Sequence, residues 1–190
     1  MGRGKLFVIS APSGCGKTTL CKKLLAEKRG LVPSRSTTTR PPRPDERDGV
    51  DYHFVSKKAF DAMVKRGAFL EHEENFGQLY GTPKKYIEEA LKKGRAALLS
   101  IDVKGAMKVK KAYPKNSVLI FILPPSIKTL EERLRTRKSD GIEEISTRIK
   151  LAKKEISRKD RYDYRVVNDS LERAYARLKK IIAKELMIGG

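Results

Sequence analysis

Leu6-Phe7-Val8-Ile9 run apolar without a break, the pattern of a strand buried on both faces of a sheet, and a glycine-bearing loop follows directly. From Thr18 the spacing of Leu20, Leu24 and Leu25 predicts a helix to about Lys28, stopping near Gly30. The alternation then recurs, with strands predicted over 97–101, 118–122 and 164–167 and helices over 104–113, 126–138 and 170–186. Ser126 with Thr129, and Ser170 ahead of Leu171-Glu172, mark two of the helix starts. Strand and helix in alternation predict an α/β fold, a parallel sheet wrapped by helices. Residues 34–85 break that rhythm: a β-prone Thr37-Thr38-Thr39, an extended Arg40-Pro41-Pro42-Arg43-Pro44, a strand over 52–55, a capped helix from Ser56 to Arg66 that ends at Gly67, then short strands and turns over 69–82. The stretch reads as an insertion between the first and second strands of the parallel unit.

Composition narrows the class. The 190 residues suffice for one well-cored unit with small inserted parts. Charged residues are frequent, at 35%, yet apolar runs recur along the whole length and exclude a disordered chain. An excess of 43 Lys and Arg over 23 Asp and Glu gives a formal +20, which draws polyanions or phosphorylated small molecules; much of it lies in mixed-sign helical stretches that read equally as solvated faces. Cys15 and Cys21 are the only cysteines and form no CxxC pair, so neither a disulfide framework nor a zinc site is expected. His53 and His72 lack ligand spacing. The apolar runs are too short for a spanning helix, and no secretory leader is read at the start, so a soluble, reduced, cytoplasmic protein is expected.

The candidate chemistry begins at Ala11-Pro12-Ser13-Gly14-Cys15-Gly16-Lys17-Thr18-Thr19, which matches the phosphate loop G-x-x-x-x-G-K-[ST] except for Ala11 in place of the first glycine. Such a loop needs a turn that aims successive backbone N–H groups inward, a helix N-terminus behind it, a lysine, and a hydroxyl for Mg²⁺. Gly14, Gly16, Lys17 and Thr18 supply these, and the strand-loop-helix context is the one the motif requires. Two readings of Cys15 stand: a small filler, or a thiol whose pKa is lowered by the helix terminus and Lys17 and whose alkylation would block ATP.

Beyond that loop the chain carries STTTRPPRPDERDGVDYHFVS from Ser36, GAFLEHEENFGQLYGTP from Gly67, IDVKGA from Ile101, IFILPPSIKTLEERLRTR from Ile120 and YDYRVVND from Tyr162. In this order and spacing they resemble the guanylate kinase family, enzymes that pass the γ-phosphate of ATP to GMP, over nearly the whole chain. The resemblance implies a P-loop core (1–33, 86–125, 158–190), a GMP-binding subdomain (34–85) and a small helical lid (126–157). It implies a GMP site of Ser36, Arg40, Arg43, Glu46, Tyr52, Glu71, Tyr80, Thr82 and Asp102. Guanine presents N1–H and N2–H2 side by side, and a carboxylate, which only accepts, meets both; Glu71 is the candidate. Ser36 and Thr82 suit the O6 side, and Arg40 and Arg43 with Tyr52 and Tyr80 suit a monophosphate.

On the donor side the resemblance implies ATP held by Ser13, Gly14, Cys15, Gly16, Lys17, Thr18, Thr19, Arg133, Arg137, Asn168 and Asp169. Lys17, Arg43, Arg137 and Arg148 are the expected catalytic residues. Arg133 and Arg137 stand four apart on one predicted helix and so share a face, and Arg148 follows on the next. Thr18 and Asp102 are the expected Mg²⁺ positions, although Ser100 stands where the family often has a further acid. Asn168-Asp169 also reads as ordinary turn chemistry. The partners implied are ATP and GMP, with dGMP left open, and neither a specific nucleic acid nor a membrane. Monomer and homo-oligomer both stay open. The alternatives are a non-catalytic guanylate-kinase-like binding module, in which the loop lysine or lid arginines tend to be lost, and a basic nucleic-acid binder, for which no helix-turn-helix, RRM or zinc signature is present.

Overall fold

A computed structural model describes residues 4–27, 30–75, 77–136 and 142–188. Strand β1 (Leu6–Ser10) leads through the glycine loop into α1 (Lys17–Glu27), and β2 (Leu31–Pro33) follows. Next come β3 (Thr37–Thr38), β4 (His53–Phe54), α2 (Lys57–Lys65), β5 (Phe69–Asn75) and β6 (Gln78–Pro83). Then α3 (Lys84–Lys92), β7 (Ala96–Ser100), α4 (Val103–Ala112), β8 (Ser117–Leu123), α5 (Ile127–Arg135) and α6 (Ile142–Ile156) complete the middle of the chain. A 3-10 turn (Lys159–Arg161), β9 (Tyr164–Val167) and α7 (Leu171–Ile188) close it.

Five strands form the expected parallel sheet, in the order β2-β7-β1-β8-β9. Its centre, β1, is apolar throughout because both faces are covered. Phe7 and Ile9 pack with Leu20 and Leu24 of α1 and Leu178 and Ile182 of α7, while Leu6 and Val8 face Ile87 of α3 and Ala106 and Val109 of α4. Each of the fully buried Phe, Leu, Ile and Val side chains among them contributes about 1.5–3 kcal/mol relative to an exposed one. The sheet therefore fixes where β1 and β7 end, and the candidate site lies at those ends.

The insertion forms a second sheet, β4-β3-β6-β5, in which β5 and β6 are antiparallel. Gly77, at φ 71°, turns the hairpin, and α2 packs on the sheet through Phe60 stacked on Phe69, with ring centroids 4.6 Å apart. Ser56 caps α2 by accepting from the Ala59 N–H. The insertion's place in the chain differs from expectation. Because β2 pairs in parallel with β7, the second sheet falls between the second and third parallel strands in chain order, not the first and second.

Candidate functional site

The phosphate loop leaves β1 at Ser10 and enters α1 at Lys17. Gly14 and Gly16 have φ of 87° and 80°, a region glycine occupies at no steric cost. Both are also confined from outside: a Cβ on Gly14 would lie 3.1 Å from Leu130 and Leu134, and one on Gly16 would lie 2.5 Å from the Asn168 amide nitrogen. Ala11, the departure from the motif, is buried in the core that holds Phe7 and Ile9, so its methyl group is a packing element. Ser13 is half-buried, and Thr18 and Thr19 are exposed in the first turn of α1. Lys17 Nζ donates to the Ile101 carbonyl at 3.0 Å, and burial pulls its pKa below the usual lysine value.

Cys15 is fully buried, and burial pushes its thiol up to about 12. The buried position favours the filler reading over the activated thiol, because burial shifts the thiol away from thiolate and leaves it without exposed surface. Asn168 is buried at the end of β9, where its Nδ2 donates to the Cys15 carbonyl at 2.8 Å and its own N–H to the Leu123 carbonyl at 2.8 Å. Arg133 Nη2 donates to the Asn168 carbonyl at 3.0 Å. These three contacts fasten loop, strand end and α5 together. Asp169 takes part in local turn chemistry, accepting from the Ser170 N–H and from Arg173. Arg148 is half-buried on α6, with Nη2 2.5 Å from Glu144. Arg137 lies outside the described residues.

Opposite the loop, Ser36, Tyr52, Glu71, Tyr80 and Asp102 share one cleft of about 180 Å³ with Lys17. Residues 71, 73 and 75 reach it together because alternate positions of β5 face the same way. Glu71 is 6% exposed and accepts from the Thr82 hydroxyl at 2.5 Å across the β5–β6 pair. Burial raises its pKa to about 7, with the Thr82 hydrogen bond opposing and the Asp102 and Glu73 charges assisting. Asp102 caps α4: its Oδ1 accepts from the Gly105 N–H at 2.7 Å, and its Oδ2 from Asn75 Nδ2 at 2.8 Å. At the far end Glu46 receives Arg40 through Nη2 on both its oxygens, at 3.0 and 2.8 Å, and also the Arg43 backbone N–H at 3.0 Å. The Arg40 guanidinium lies over the Tyr52 ring, whose centroid is 6.3 Å from that of Tyr80. The Arg43 side chain is exposed.

Three further residues enter the site. Asn75 and Gly105 both bind Asp102; their importance comes from tertiary contact, although period-2 counting along β5 from Glu71 reaches Asn75. Glu155, on α6, lines a hollow adjoining the cleft together with Asn75, Asp102 and Arg158. Burial lifts its pKa to about 7 against the pull of Lys17. Its spacing of seven from Arg148, two helical turns, was the available signal.

A family model described as "Guanylate kinase" matches residues 3–185. The chain belongs to the guanylate kinase family. Among curated relatives, the guanylate kinase of Nitrosospira multiformis is 48% identical over 182 residues, covering 96% of this chain and 86% of that protein. The guanylate kinase of Thermus thermophilus is 49% identical over 183 residues, covering 96% of this chain and 82% of that protein. Among solved structures, the crystal structure of guanylate kinase from Anaplasma phagocytophilum superposes with a TM-score of 0.84 at 37% identity, covering 98% of this chain and 88% of that one. The guanylate kinase match takes in both sheets and both sides of the cleft.

Proposed function

We propose that the chain transfers the γ-phosphate of ATP to GMP, giving ADP and GDP. The observation that carries this reading is a buried carboxylate, Glu71, in the same cleft as the phosphate-loop lysine, Lys17. One places the acceptor's base and the other the donor's phosphates. Ionised Glu71 accepts from N1–H and N2–H2 of guanine, whereas adenine would set its N1 lone pair against the same oxygens. A site that leaves its own buried polar group unpaired rejects the mismatched base by up to ~10⁴-fold. Arg40, oriented by Glu46 and flanked by Tyr52, grips the acceptor phosphate together with Arg43 and Tyr80. In this reading 34–85 is the GMP-binding subdomain and 126–157 the lid, from which Arg133, Arg137 and Arg148 neutralise charge that spreads over the transferring group.

Mg²⁺ would neutralise phosphate charge. Thr18 offers one exposed hydroxyl for it, and among the described residues no group of three or more His, Cys, Asp or Glu side chains converges. That sparse donor set suits an ion that keeps several waters and takes its remaining ligands from phosphate. Asp102 shares the cleft with Glu71, which favours it as a purine-side acceptor over a direct ligand. Among the described residues no helix is long and apolar enough to cross a membrane.

Retention of Lys17, Thr18 and Arg148 favours the enzyme over a binding module. A coupled assay of ADP release, with ATP, Mg²⁺ and GMP, AMP, CMP, UMP or dTMP in parallel, tests class and acceptor together. Turnover is expected with GMP; no turnover with any acceptor, or a preference for AMP, would overturn the reading.

A further inference from the structure

Asn75 closes a ring of contacts that joins the two sheets. It ends β5, the strand that also carries Glu71, and its amide crosses to Asp102 at the mouth of β7. Asp102 holds the first turn of α4 through the Gly105 N–H, and Gly105 returns to β5, because a Cβ there would stand 2.6 Å from Glu71 Oε2 and 3.3 Å from Asp102 Oδ1. Both carboxylates therefore border one glycine, and each has a donor that fixes it: Thr82 for Glu71, Asn75 for Asp102. Two carboxylates this close repel in a poorly solvated cleft. A neutral amide on Asp102 orients that group without adding a cation to neutralise the acceptor site.

We propose that Asn75 is a specificity-positioning residue, which holds Asp102 so that this carboxylate takes the second N–H of the guanine 2-amino group while Glu71 takes N1–H and the first. The assignment rests on the GMP-kinase reading above. It follows from counting: guanine offers three N–H hydrogens on that edge, Glu71 has two oxygens, and Asp102 keeps unused lone pairs after receiving Asn75 and Gly105. Hypoxanthine, in IMP, lacks the 2-amino group and makes no use of Asp102.

The test measures kcat and KM for GMP, IMP and ATP in the wild-type protein and in Asn75→Asp and Asn75→Val. Both variants remove the donor, one isosterically and one without charge. KM for GMP should rise about tenfold in each, KM for IMP and for ATP should stay within about twofold, and the GMP-to-IMP ratio of kcat/KM should fall about tenfold. Asn75→Gln, which keeps an amide donor, should recover most of that ratio. An unchanged GMP-to-IMP ratio, an equal loss on GMP and ATP, or failure of both variants to fold by circular dichroism would overturn the assignment. A wild-type protein inactive on GMP would bring down the underlying reading instead, which the same experiment registers separately.

Discussion

Replacing Gly105 by alanine tests whether Glu71 reads the base, because the perturbation falls mainly on that carboxylate, Asp102 Oδ1 lying farther off at 3.3 Å. The added methyl would sit 2.6 Å from Glu71 Oε2 and 2.9 Å from its Cδ. Ordinary contact begins near 3.4 Å, so the carboxylate must retreat by roughly 0.8 Å. It has little freedom to do so: it is buried, its strand is locked in the β5–β6 ladder, and Oε1 is held by Thr82 at 2.5 Å. Stability changes little, since alanine inside α4 gains about 1 kcal/mol over glycine while local overpacking costs about 1–3 kcal/mol. Catalysis should change far more, because a misplacement near 1 Å costs on the order of 100-fold. In a coupled assay at saturating ATP, kcat/KM for GMP should fall about 100-fold, with KM for ATP within about twofold. Adding Glu71→Asp, one methylene shorter, should recover part of the loss, the non-additivity expected of residues in contact. A folded Gly105→Ala protein with normal KM for GMP would refute the reasoning, for Glu71 would then have no role in the acceptor site.

Glu71→Gln should lower kcat/KM for GMP by about 1000-fold or more, since an amide presents a donor to a donor edge. With its pKa near 7, Glu71 binds a proton in the folded state that the unfolded chain has released above about 4.5. Its stabilising contribution is thus full below about 4.5 and lost as pH rises through 7, so Glu71→Gln should melt several degrees higher than wild type at pH 8 and no higher at pH 4. The same ionisation sets binding: KM for GMP should rise as pH falls below 7 and, in Glu71→Gln, should lose that dependence. Arg148→Ala should cut turnover at least 100-fold with the fold retained by circular dichroism; near-normal turnover would remove it from the transfer step. Ellman's reagent should find neither Cys15 nor Cys21 in the folded protein and both after denaturation, because burial raises their thiols to about 12 and about 11.

What could be read from the sequence tracks how local its cause is. β1 was legible because burial on both faces writes itself as an unbroken apolar run, and α5 because Ser126 caps it at the Thr129 N–H. β2 escaped: it has three residues and ends in Pro33, too short to carry a period. α3 escaped because it buries only Ile87 and Ala90, a stripe too narrow to stand out among Lys and Glu. The site followed the same rule. Glu71, Tyr52 and Asp102 were found through ordered motifs and do share a cleft. The readings of Cys15 separated only on burial, and Gly105 only on the approach of a side chain 34 positions earlier in the chain.

The resting contacts explain how so basic a chain keeps a selective site. Four of the cations expected at a phosphate already have a protein partner: Arg40 on Glu46, Arg148 on Glu144, Lys17 on the Ile101 carbonyl and Arg133 on the Asn168 carbonyl. For these four, phosphate binding in the proposed reading is an exchange of acceptors, with guanidinium planes already ordered, so less conformational entropy is lost on binding. The carboxylates divide the remaining work. Glu46 orients a cation and is drawn below the usual carboxylate range by Arg43 and Arg40 against its own burial. Among the described residues Glu71 has a hydroxyl but no cation among its hydrogen-bond donors, and it is pushed the other way, chiefly by burial. Two acids of the same ordinary pKa are thereby separated by environment, Glu46 drawn toward its anionic form beside Arg40 and Glu71 pushed away from it by burial. A buried carboxylate with no cation beside it is costly to keep ionised, so in the proposed reading the donor edge of guanine, which relieves that cost, is a better ligand than any base that cannot.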